Sequence, residues 1–157
     1  MASTRWMLPS PGARTVDVTP AMKAAFPVSI ETAFEAGTYL YLVLKSADDV
    51  VGLTPDMARI RALSDVGVCV TARGSRAYHC VSRGFFPTQG IDEDPVTGSA
   101  HAAIGPYWAE RLGVASLTAY QASARGGVLK IDVGETRVTI SGRAVTFMTG
   151  VINLPDG

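Results

Sequence analysis

Gly90-Ile91-Asp92-Glu93-Asp94-Pro95-Val96-Thr97-Gly98-Ser99-Ala100-His101 places acidic residues directly before the start of an apolar helix. Pro95 lacks a backbone N–H and has φ already near helical values, so it suits a first helical turn. Thr97, Gly98 and Ser99 follow with free amides. Such a helix start favours a negative group by about 0.3–1 kcal/mol when exposed and up to about 2 kcal/mol when partly buried. Gly98 lets a ligand approach the backbone closely, and Ser99 adds a hydroxyl. Asp94, one step upstream, is placed to give or take a proton from whatever binds there.

Working outward, the helix is expected from 95 or 96 to 112, with Gly113 as its C-terminal stop. Ala100, Ala102, Ala103, Ile104, Tyr107, Trp108 and Leu112 spread around most of its circumference, so it should be buried, with Ile104 and Trp108 almost fully enclosed. Pro106 should remove one hydrogen bond inside it and bend it. Before the motif, strands are expected at 28–36, 38–45, 66–72 and 77–85; after it, at 117–124, 128–133, 136–141 and 144–154. Tyr39 to Leu44 has hardly a polar position, so both its faces should be covered. Thr19-Pro20 signals a short helix to about Phe26, and Thr54-Pro55 a second one carrying Met57, Ile60 and Leu63 on an apolar side. Residues 1–19, with Pro9, Pro11 and Gly12, read as an irregular lead-in, and 20–157 as a single domain. The expected fold is α+β: an antiparallel sheet rolled around one central apolar helix.

The 157 residues fit one domain, and 14 basic side chains balance 14 acidic ones, so no charge field marks a nucleic-acid or anionic-membrane partner. No apolar run is long enough for a membrane span and the N-terminus lacks a signal-peptide core, which makes a cytoplasmic protein the expectation. Cys69 and Cys80 suggest neither a disulfide framework nor a zinc site, and no metal site is expected.

Each candidate residue has a plain structural alternative. Asp94 could cap the helix rather than face a ligand. Glu93 and Asp92 suit loop contacts. No Ser/His/Asp arrangement makes Ser99 a nucleophile. His101 is either a satisfied buried histidine or a residue lining the site. Arg125-Gly126-Gly127 is first of all a hairpin turn, since paired glycines supply positive φ.

The motif, with Ser82-Arg83-Gly84-Phe85-Phe86-Pro87 before it and Pro106-Tyr107-Trp108-Ala109-Glu110-Arg111-Leu112-Gly113 and Gln121-Ala122-Ser123-Ala124-Arg125-Gly126-Gly127 after it, resembles the second half of the PhzF-like phenazine-biosynthesis isomerase family. The resemblance runs from about Ala24 to Val151. It implies one lobe of a diaminopimelate epimerase-like fold, in which two similar lobes face each other across a cleft without metal or organic cofactor. It also implies a catalytic role for Asp94 and a substrate-binding role for the amides of Gly98 and Ser99, with Thr97 and His101 beside them. The ligand would be a small carboxylate-bearing molecule or anion. The family's principal acid/base, a first-lobe glutamate, and its Gly-His-Ala-Thr block have no counterpart here. Glu31, in Ser29-Ile30-Glu31-Thr32-Ala33-Phe34, only echoes the glutamate segment and is expected at a surface or strand edge. The chain therefore reads as a second lobe that pairs with another copy or with a separate first lobe. Diaminopimelate-type epimerases use opposed cysteines; Thr97-Gly98-Ser99-Ala100 offers none, so the implied chemistry is proton relocation by a carboxyl group rather than epimerisation by paired thiols.

Overall fold

The computed structural model describes residues 2–75 and 77–152. Strands β1 (Ala2–Pro9), β2 (Ala13–Val16), β3 (Ile30–Ala36), β4 (Tyr39–Leu44), β5 (Gly67–Arg73), β6 (Cys80–Phe85), β7 (Ser116–Gln121), β8 (Gly127–Val133) and β9 (Arg137–Ala144) form one sheet. Helices α1 (Pro20–Ala25), α2 (Ala47–Val51), α3 (Met57–Arg61) and α4 (Gly98–Leu112) complete the α+β fold. The strand order is β1-β9-β8-β7-β6-β5-β4-β3-β2, nine strands in all. The two edge strands are consecutive in sequence. Only Ser10, Pro11 and Gly12 separate them, and four Cα steps of 3.8 Å bring those strand ends to within about 15 Å of each other. The sheet must therefore curl.

Two of its pairings are parallel, β4 with β5 and β6 with β7, so the expected antiparallel sheet is in fact mixed. The cause is the connections: α2 and α3 carry the chain from β4 to β5, and α4 carries it from β6 to β7, as parallel neighbours require.

Alternation along β4 divides the core in two. Tyr41 and Val43 join Phe34, Cys69, Cys80, Leu117, Ile131 and Ile140 on the side where α4 packs. Leu40, Leu42 and Leu44 join Val68, Val70, Val81, Phe26, Val50 and Ile60 on the side covered by α1, α2 and α3. β4 is thus covered on both faces, as its apolar run implies. The strands β7, β8 and β9 bury mainly their α4-facing residues, and β8 alternates Leu129 and Ile131 inward with exposed Lys130 and Asp132. In α4, Ile104 is 0% and Trp108 6% exposed. The helix continues through Pro106 and ends at Gly113, whose φ of 67° is the left-handed conformation a helix C-cap demands.

The ends depart from expectation. Residues 2–9 and 13–16, within the stretch expected to be irregular, are strands. β1 pairs with β9 over its whole length, from Ala2 opposite Ala144 to Pro9 opposite Arg137, and Leu8 packs on the α4 core. Partner-strand hydrogen bonds decide here, while the prolines that suggest irregularity fall at the strand end and in the link. Conversely, the strand expected at 144–154 does not form over 145–152; its last two residues lie outside the described ones. The helix signalled by Thr54-Pro55 begins later, at Met57, because Asp56 is the residue whose carboxylate accepts the Arg59 N–H. α2 has no counterpart among the expected elements; Ser46 caps it by accepting the Asp49 N–H.

Candidate active site

The motif folds as a turn between β6 and α4. Its Asp94 N–H donates to the Gly84 carbonyl of β6 at 3.0 Å. The Asp94 side chain accepts a short hydrogen bond from the Thr97 hydroxyl. That hydroxyl in turn accepts from Gln121 Nε2 at 3.2 Å. Gln121 ends β7 and is 1% exposed. Its amide grips the turn from both sides: Nε2 donates to the Asp94 carbonyl and Oε1 accepts the Thr97 N–H, both at 2.7 Å. Two residues on, Ser123 Oγ donates to the Pro95 carbonyl at 2.7 Å and accepts the Gly126 N–H at 3.1 Å. Gly126 itself has φ 69°, the positive value expected of the glycine turn. The block 121–127 is therefore the clamp that fixes the turn carrying Asp94.

A second anchor is ionic. Arg83 on β6 donates from Nε to Glu93 Oε1 at 2.7 Å and from Nη2 to Oε2 at 3.0 Å, a bidentate pair. Its Nη1 donates to the Leu53 carbonyl at 2.6 Å, linking the motif to the end of α2. Glu93 is thereby held as a structural carboxylate, while Asp92 is exposed.

His101 sits one turn into α4 and is 0% exposed. Its Nδ1 lies 2.7 Å from the Thr97 carbonyl, which can only accept, so Nδ1 carries the proton. Nε2 then accepts from the Ser82 hydroxyl at 3.1 Å. Burial pushes its pKa down to about 4 from 6.5, against the opposing pull of the Thr97 carbonyl, so the ring is neutral at ordinary pH. Two of the residues expected beside the substrate, Thr97 and His101, have their polar atoms engaged within the protein. Thr97 is 7% exposed with both its amide and hydroxyl engaged, and His101 has both ring nitrogens engaged. These contacts tie Asp94 and the helix start to the neighbouring strands.

The helix start itself is uncapped by any side chain. With the Thr97 amide taken, the first-turn N–H groups of Gly98, Ser99 and Ala100 have no acceptor within the helix. Ser99 is exposed, its Oγ 3.0 Å from the hydroxyl of Tyr39 on β4. On the other side stands Trp6 of β1, 56% exposed. A Cβ on Gly98 would lie 3.1 and 3.2 Å from Cζ3 and Cε3 of that ring, a tight contact that the exposed indole would have to ease by shifting slightly. The turn thus presents a carboxylate, free amides, two hydroxyls and an indole together.

The cysteines take no part. Burial pushes the Cys69 thiol up, with the Asp94 carboxylate adding to the effect, and burial pushes Cys80 up to about 12. Neither forms a thiolate nucleophile near neutrality. Among the described residues no group of three or more His, Cys, Asp or Glu gathers to hold a metal. Glu31 is exposed, at an irregularity between Ile30 and Thr32 in β3.

Gln121, Trp6, Tyr39 and Arg83 carry no site signal in the sequence reading. Gln121 could have been found: in Ser116 to Gln121 it follows Leu117 and Ala119 on the inward face, and a buried amide demands partners. Trp6 could not, because the prolines and glycine that follow mark its segment as irregular.

The fold recurs in known proteins. The family described as phenazine biosynthesis-like protein matches residues 10–150. An uncharacterized isomerase of Pseudomonas aeruginosa is 48% identical over 113 residues, which cover 72% of this chain and 43% of that protein. An uncharacterized isomerase of Halalkalibacterium halodurans is 44% identical over 110 residues, covering 69% of this chain and 42% of the relative. The crystal structure of a PhzF-family phenazine biosynthesis protein from Enterococcus faecalis superposes with a TM-score of 0.88 at 42% identity, over 97% of this chain and 58% of the other. This chain spans less than half the length of those curated relatives. With the match running through both core halves, the Asp94 turn and its Gln121 clamp, the chain belongs to the phenazine biosynthesis-like (PhzF) family.

Proposed function

We propose that this chain is one lobe of a two-lobed isomerase that relocates a proton on a small carboxylate-bearing substrate without a cofactor. Asp94 is the acid/base of this lobe, and the amides of Gly98 and Ser99 hold the substrate's carboxylate. The observation that carries this reading is the division of labour at the turn: Gln121, Thr97 and the Gly84 carbonyl hold Asp94, while no side chain caps the first amides of α4. A carboxyl group that shuttles a proton must stand within hydrogen-bond reach of the reacting carbon's proton, and a rigid turn beside an anion-binding helix start provides that geometry. One such group contributes part of the roughly 10²–10⁴-fold of general acid–base catalysis, so turnover needs an opposing acid/base from a second lobe or copy.

The alternative reading is a non-catalytic small-anion-binding or interaction domain derived from the family. Calorimetric titration with malonate or benzoate tests the shared premise. Binding should persist in Asp94→Asn, which can still accept from Thr97, and vanish in Gly98→Val. Binding indifferent to Gly98→Val, or none at all, removes the site. If binding is found, isomerase turnover on reconstitution with a complementary lobe separates the first reading from the second.

A further inference from the structure

The hydrogen bonds around Thr97 have only one possible direction. The Thr97 main-chain N–H can only donate, and the Asp94 carbonyl can only accept. The Gln121 amide, 2.7 Å from each, must therefore turn Oε1 to the first and Nε2 to the second. The second hydrogen of Nε2 is then directed at the Thr97 hydroxyl oxygen, 3.2 Å away. With its oxygen accepting from Gln121, the hydroxyl gives its own hydrogen to Asp94 Oδ2.

Two further observations set this hydroxyl apart. A threonine at an N-cap ordinarily accepts from the second or third amide of its own helix, yet Thr97 makes no such bond. It is also closely enclosed: Thr97 is buried, and a Cβ on Gly84 of β6 would lie 3.1 Å from the hydroxyl oxygen. The two oxygens of Asp94 are thus unequal. Oδ2 accepts from Thr97, while Oδ1 makes no hydrogen bond among the described residues. Asp94 is half-buried, and among the described residues no such side chain seals an unpartnered oxygen from solvent, so Oδ1 reaches open space.

We propose that Thr97, oriented by Gln121, is a positioning residue: it commits Oδ2 of Asp94, leaves Oδ1 as the one oxygen that meets a ligand, and keeps the carboxylate from turning onto the uncapped amides of α4. The use made of Oδ1 rests on the reading above. There the carboxyl takes the substrate's proton on Oδ1 and returns it from the same atom, the electron pair of the broken C–H bond staying with the substrate, while Thr97 keeps its hydrogen throughout. A carboxylate released from Thr97 would compete with a ligand for the helix start, because an aspartate oxygen is itself a good acceptor for first-turn amides.

Calorimetric titration with malonate and proton magnetic resonance together test this. Thr97→Val keeps the shape and main-chain N–H of the threonine, and should weaken malonate binding about fivefold or more as the freed carboxylate competes for the amides. Thr97→Ser should restore affinity to within about twofold of the wild type. In an Asp94→Ala background, Thr97→Val should change affinity by less than about twofold, since no carboxylate remains to be released. Equal weakening in both backgrounds would mean that Thr97 only supports the fold, and would overturn the proposal. In the wild type the Thr97 hydroxyl hydrogen should give a separate, slowly exchanging resonance with an Overhauser contact to the Asp94 methylene. Its absence, or a contact to the first amides of α4 instead, would also overturn it. If the wild type binds no malonate, the site reading fails by itself, and the positioning of Asp94 stands or falls on that resonance.

Discussion

The turn from Asp94 to Ala100 has two sides built on opposite principles. Inward, every polar group is paired: Gln121 with the Asp94 carbonyl and Thr97 amide, Thr97 with Asp94, His101 with Ser82 and the Thr97 carbonyl. Outward, no side chain caps the helix start, and Tyr39 and Trp6 stand beside Ser99 and Gly98. The contrast teaches where the rigidity comes from. Fixing the inner side from neighbouring strands lets the outer side stay unpaired without the turn collapsing onto its own amides. A site that must receive a ligand's charge without reorganising needs that asymmetry.

The sharpest way to break the contrast is to remove the clamp. Gln121→Ala deprives the buried Thr97 N–H and the Asp94 carbonyl of their partners at once. Unsatisfied buried groups cost about 1–3 kcal/mol each, so the domain should lose roughly 2–4 kcal/mol. Urea unfolding would measure it; a loss below about 1 kcal/mol would mean that the turn holds itself.

His101 sharpens the same comparison through pH. Its pKa is lowered in the folded state, to about 4 from 6.5. Between those values the unfolded chain binds a proton that the native chain refuses. Its contribution is therefore complete above pH 6.5 and is lost as pH falls towards 4, by roughly 3 kcal/mol at about 1.4 kcal/mol per pKa unit. Comparing urea midpoints of the wild type and His101→Gln at about pH 7 and about pH 4.5 isolates this contribution. The variant's deficit should shrink by about 2 kcal/mol at the lower pH. An unchanged deficit would mean that the ring titrates normally.

How far this was legible follows from which forces act locally. Apolar alternation around Tyr41 and Leu42 and the apolar circumference of α4 are local patterns, and they locate the core strands and the buried helix. Asp94, Gly98 and Ser99 stand out because helix-start chemistry is written in consecutive residues. The clamp is hidden because Gln121 lies 24 residues from Thr97 and meets it only through the parallel pairing of β6 with β7. β1 is hidden for the same reason: Trp6 opposite Ile140 is a pairing across the whole chain, and no local signal outweighs its prolines. His101 stays ambiguous in the sequence because position on a helix does not reveal whether Ser82 waits on the neighbouring strand.

The outer side should respond in the opposite sense, with little stability at stake and a modest share of the affinity. Ser99 is exposed and its hydroxyl meets only Tyr39 at 3.0 Å, so Ser99→Ala should change stability by less than about 0.5 kcal/mol. If the Ser99 amide binds the ligand's carboxylate, most affinity survives, because alanine keeps the N–H. If the hydroxyl does, one hydrogen bond worth about 1–1.5 kcal/mol is lost, a drop of roughly five- to tenfold. Tyr39→Phe discriminates further, since it removes the hydroxyl that orients Ser99 while leaving the edge-on packing of the ring against Phe86, with centroids 5.3 Å apart. Affinity for malonate, measured by calorimetry, should fall less than threefold in Tyr39→Phe and less than tenfold in Ser99→Ala. Both variants should melt within about 2 °C of the wild type, as expected for changes below about 0.5 kcal/mol in a domain of this size. A large stability loss in either would show that the outer side of the turn supports the fold as strongly as the inner side does, and would remove the asymmetry on which the site assignment depends.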